Sequence, residues 1–236
     1  MIEKYYNGVI EQVAGGIGNV EHNSILVRYS NDFSIWDLES VNHYKDQTDI
    51  FFTCHEFSYN KITEAYEPYL GLIRQMFHKY CSGTLEEFME ECDVYKLQRP
   101  VFESYFEKGF CERTEQILID EVEYEQERMH SSIVTMLQKL SEICPIVIVL
   151  NRFQLASKST MQLTNRLLQT KNKNIGIVLG VNDVQSIPEF AHEEWDAICE
   201  SMDDRNMVYH IGNAGRNMEP DVMDYYSDYE LSLIHI

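Results

Sequence analysis

Cys144-Pro-Ile-Val-Ile-Val-Leu-Asn-Arg-Phe-Gln-Leu-Ala-Ser-Lys-Ser-Thr160 is the stretch on which the reading of this chain turns. Ile146 to Leu150 is an unbroken apolar run rich in β-branched residues. Pro145 stops any preceding helix, and polar residues follow at once. A short apolar run bounded so sharply has the pattern of a strand buried on both faces, as in a parallel sheet. Thr160 to Thr170 then carries helical spacing, with Met161, Leu163, Leu167 and Leu168 apolar. Strand, loop and helix in that order is the setting in which nucleotide-binding folds keep their chemistry.

The same alternation continues toward the C-terminus. Asn172-Lys173-Asn174 reads as a turn into a second buried strand, Ile175 to Val181. Pro188 opens a helix through Ser201, with Trp195, Ile198 and Cys199 on its apolar side. Asp203 to Asn206 turns into a further strand, Met207 to Ile211. Strands interleaved with helices imply parallel pairing through right-handed crossovers.

Toward the N-terminus, Glu3 to Val13 reads as a short helix ended by Gly15-Gly16-Ile17-Gly18-Asn19. Ser24 to Tyr29 and Asp49 to His55 are strand patterns, both expected among the central strands. Tyr66 to Tyr80 has helical spacing. Thr84-Leu-Glu-Glu87 has the form of a capping box at the start of another helix, which Arg99-Pro100 ends. Helical stretches from Pro100 to Gly109 and from Glu112 to Ile143 follow, with Ser131-Ser132 as a break in the second. The expected fold is α/β: a three-layer parallel sheet with helices on both faces and a helical insert at about residues 84–143.

Composition narrows the function classes. A chain of 236 residues can bury one full α/β core. Its net charge of −20 repels a nucleic-acid backbone, so no direct nucleic-acid contact is expected. No apolar run approaches the roughly 20 residues of a membrane span. The six cysteines form no CxxC pair, so free thiols in a reducing, cytoplasmic setting are expected. Three segments are expected: an N-terminal helix and linker (1–19), one domain (20–217) and an unstructured or artefactual tail (218–236). The ending Leu231-Ser-Leu-Ile-His-Ile236 completes no pattern and has the look of adapter read-through. The natural chain is expected to continue after about Glu230.

The order of elements resembles the P-loop ATPase domain of STAND/AAA-type signalling ATPases, the group that includes the maltose-operon activator. Ile25–Val27 stands where the strand before the phosphate loop would be. Phe51-Phe-Thr-Cys-His-Glu-Phe57 with Ala65-Tyr-Glu-Pro-Tyr-Leu-Gly-Leu-Ile73 matches the second unit. Ile146–Leu150 matches the Walker B strand and Ile175–Val181 the sensor strand. The resemblance covers about residues 20–215. It implies a P-loop-NTPase-like sheet, ATP and magnesium as the family's ligands, and a larger bacterial signalling or transcription-regulatory protein.

The site residues depart from that family. A phosphate loop needs glycines whose backbone N–H groups close around phosphate, a lysine, and a hydroxyl for magnesium. After Ile25–Val27 the chain has neither glycine nor lysine, and Asp32, Trp36 and Asp37 bring bulk and negative charge. The Walker B strand ends in Asn151-Arg152 instead of a carboxylate pair, which weakens metal binding and water activation. A catalytically degenerate domain follows, with no catalytic residue, no metal site and no cofactor expected. Its partners would be its own downstream domains, another protein or a second copy.

Two other readings stay open. Arg152 to Ser159 has phosphate-loop spacing with both glycines replaced, so Lys158 and Ser159, with Asn151 and Asp183, would form the cofactor-binding set of an unorthodox ATPase. The competing role for Ser157 to Thr160 is to cap the helix. The third reading is a small-molecule sensor using the strand-end crevice, with His55 or Glu56 near the ligand. Cys54 and His55 are adjacent on a strand, face opposite ways and cannot act as a pair. Arg216 is the one cation placed as a nucleotide-sensing arginine would be. Glu121, Glu123, Glu125 and Glu127 read as a solvated acidic face.

Overall fold

The computed structural model describes residues 2–19, 23–29, 49–58, 66–109, 122–182, 187–203 and 208–211. Two compact units emerge. One takes in residues 1–65 and 144–236, and the other is Tyr66–Ile143.

The first unit is built on five parallel strands: β1 (Ser24–Tyr29), β2 (Phe51–Glu56), β3 (Ile146–Asn151), β4 (Ile175–Asn182) and β5 (Val208–Ile211). Their spatial order is β2-β3-β4-β1-β5. Every residue of β3 and β4 is buried, as their continuous apolar composition requires. Helix α1 (Ile2–Gly16) lies on one face, where Val9, Ile10 and Val13 join Ile25, Val27, Phe52, Val147, Val149 and Val178 in one core cluster. The expectation that α1 ends at Val13 falls short by one turn. Gly15 and Gly16 continue the helix, and the chain turns at Gly18, whose φ is 95°.

The opposite face carries the C-terminal helices, named α6 (Lys158–Gln169) and α7 (His192–Asp203) after the four of the second unit. Trp195 of α7 packs on Phe153 and lies under the guanidinium of Arg28 from β1. Helix, sheet and helix make the three layers expected from the sequence. One placement differs: among the described residues β2 forms an edge of the sheet, not a central strand. Its side chains are mostly half-buried, in keeping with that position.

Asn23 fastens the N-terminal end of this sheet. Its Nδ2 donates to Asn172 O at 2.7 Å and to Ile175 O at 2.8 Å, and its carbonyl accepts from Ile177 N at 3.0 Å. Asn174 N in turn donates to Asn172 Oδ1, closing the expected turn before β4. Asn23→Ala leaves two carbonyls without this donor in a site that is 2% exposed. The expected loss is about 2 kcal/mol, read from a denaturant midpoint.

The second unit is helical: α2 (Tyr69–Tyr80), α3 (Leu85–Glu91), α4 (Arg99–Lys108) and α5 (Val122–Ile143). Phe77 sits at its centre, with Phe88 at 5.3 Å and Phe106 at 5.5 Å between ring centroids. The capping box at Thr84 forms as the spacing predicts. Glu87 N donates to Thr84 Oγ1 at 3.2 Å and Thr84 N donates to Glu87 Oε2 at 2.8 Å. Thr84→Ala should cost about 1 kcal/mol, measured by thermal unfolding of the whole chain. The expected break at Ser131-Ser132 is absent, because α5 runs uninterrupted through both serines. Ser132 Oγ instead donates to the buried Gln98 Oε1 at 3.0 Å, and Gln98 Nε2 donates to Glu125 O. None of the five described cysteines forms a disulfide, and burial pushes the Cys92 thiol up to about 12.

Candidate functional site

The sheet order locates a crevice before any side chain is considered. From β1 the chain reappears at β2, beyond β4 and β3 on one side. From β4 it passes β1 and reaches β5 on the other side. Chain progression therefore reverses between β1 and β4. Open parallel sheets bind ligands outside the carboxyl ends of their strands at such a reversal. Here Tyr29 and Asn182 stand opposite each other at that edge.

Among the described residues, amide side chains and two ion pairs stand on the strand ends and the connection beside this edge. Asn151, the last residue of β3, is fully buried, and its Oδ1 accepts from Arg152 N at 2.9 Å. Arg152 takes the left-handed conformation, φ 53°, and its Nε lies 3.3 Å from Glu56 Oε1 of β2. A 3-10 turn, Phe153–Leu155, follows. It drops Phe153 into the core between Phe57 and Trp195, and Gln154 Oε1 accepts from Asn182 N at 3.3 Å. Gln154 thus bridges the step between the end of β3 and the longer β4. In the alternative loop segment, Arg152 is thus engaged by Glu56, Phe153 by Phe57 and Trp195, and Gln154 by Asn182.

Lys158 and Ser159 sit in the first turn of α6. Ser157 caps that helix, its Oγ accepting from Thr160 N at 3.3 Å, and Ser159 Oγ lies 3.1 Å from Ser157 Oγ. Lys158 Nζ lies 3.1 Å from Glu194 Oε1 on α7, and Gln162 Nε2 donates to the same oxygen at 2.8 Å. Burial works to raise the Glu194 carboxyl. The hydrogen bonds from Lys158, from its own backbone and from Gln162 outweigh burial and hold it below the usual carboxylate range.

No protein-family model matches this chain, and no curated protein or solved structure matches it either.

Of the expected site residues, the fold gathers Asn151, Lys158 and Ser159 on one connection, between β3 and α6. Asp183 lies outside the described residues, as do Asp32, Trp36, Asp37 and Arg216. Cys54 packs against the α1-side cluster, whereas the His55 ring meets Phe57 at 4.6 Å, so the two do point apart. Glu56 ends β2, which β3 separates from the reversal between β1 and β4, and it is paired with Arg152. Among the described residues no group of three His, Cys, Asp or Glu could hold a metal, and no helix is long and apolar enough to cross a membrane. Gln154 and Glu194 were not singled out from the sequence. Each matters through a partner 28 or 32 residues away, and neither stands in a recognisable motif.

Lys158→Ala is expected to cost about 1 kcal/mol, because Lys158 is half exposed while the carboxylate it leaves is 9% exposed. Glu194 has a lowered carboxyl pKa in the folded chain, so its contribution is present above the usual carboxylate range and lost as pH falls through that lowered pKa. The difference between wild type and variant should therefore shrink on acidification below about pH 4. Chemical denaturation across pH measures it.

Proposed function

We propose that this chain is a regulatory or interaction module, a catalytically degenerate STAND/AAA-like ATPase domain. It would act in the cytoplasm within a larger bacterial signalling or transcription-regulatory protein. Its partners would be further domains of that protein, another protein or a second copy. The observation that carries the reading is Asn151. At the end of a central strand, where an ATPase of this kind places its magnesium-orienting carboxylate, stands a fully buried neutral amide turned onto the next backbone N–H. The strand order, with its reversal between β1 and β4, agrees with a nucleotide-binding ancestry. The engagement of Lys158 by Glu194 supports the loss of chemistry at the second candidate loop.

Magnesium-ATP is accordingly expected to bind weakly or not at all and to show no turnover. A triphosphate brings several negative charges to a chain that already carries −20. Calorimetric titration with magnesium-ATP and a phosphate-release assay make the test. Micromolar binding abolished by Lys158→Ala would favour the unorthodox ATPase that uses Lys158 and Ser159. Turnover lost in the same variant would make the protein an enzyme.

A further inference from the structure

We draw no further inference here: the strongest candidate, the exposed surface of Tyr95 and Leu97 on the helical unit, with Arg128 over the Tyr95 ring, carries nothing, because nothing in the structure shows what covers it.

Discussion

Gly176→Ala is expected to destabilise the sheet unit by about 3 kcal/mol, a large share of the roughly 5–15 kcal/mol that holds a domain folded. A Cβ at Gly176 would stand 2.6 Å from Val13 Cγ1, 3.0 Å from Asn23 O and 3.4 Å from Ile17 Cδ1. The first distance is shorter than real carbon contacts allow, so something must move. Val13 is fully buried in the cluster that fixes α1 to the sheet. The Asn23 carbonyl is held by Ile177 N, and its side chain is tied to Asn172 and Ile175. Relief therefore requires α1 to lift from β4, which opens the apolar layer beneath it. Gly15→Ala is the matched control within α1. No atom lies within 4 Å of a Cβ there, and alanine favours the helix, so a gain of about 0.5–1 kcal/mol is expected. Denaturant midpoints of the two variants should move in opposite directions. An alanine at 176 as stable as the parent would mean that α1 does not seat on β4 at this point.

The contrast between these glycines shows where sequence reasoning reaches and where it stops. Gly176 lies within the apolar run that marks β4, and nothing local distinguishes it from a weak point in a strand. Its role comes from α1, at the far end of the chain. β3 and β4 were legible because burial on both faces writes itself into every position of a short segment. The position of β2 was not, because strand order depends on crossovers between distant segments. Phe51 and Phe52 suit an edge as well as a centre. Helix ends followed the same division. The capping box at Thr84 is a local device with a local signature, and it was readable. The partner that Ser132 meets in the uninterrupted α5, Gln98, stands 34 residues away in the chain, and it was not. At the site, Asn151 announced itself by ending an apolar strand. Glu194 looked no different in sequence from Glu193 beside it, although only Glu194 is buried and holds Lys158.

Asn151→Asp is expected to destabilise the chain at neutral pH by about 3–5 kcal/mol and to leave ATP hydrolysis undetectable. The substitution supplies the carboxylate that a magnesium-dependent ATPase would need. It also places that charge at a position with no solvent exposure. Arg152 N can still donate to the new side chain, and that hydrogen bond gains strength from the charge. One backbone N–H does not replace a hydration shell, and the Arg152 guanidinium is already drawn to Glu56. Burial therefore raises the folded-state pKa of the introduced carboxyl above its unfolded value. Between those two values the folded chain holds the proton and the unfolded chain has released it. Stability accordingly falls as pH rises through this window and levels off above the folded pKa. The penalty should be largest at neutral pH and should fade near pH 4, the opposite of the trend for a salt-bridged surface carboxylate. Urea denaturation of wild type and variant from about pH 4 to pH 8 measures the slope. A variant as stable as wild type at pH 7 would mean that this edge is open enough to hydrate a carboxylate. Such an edge could also admit a metal-bound phosphate, and the proposal of a degenerate site would lose the observation that carries it.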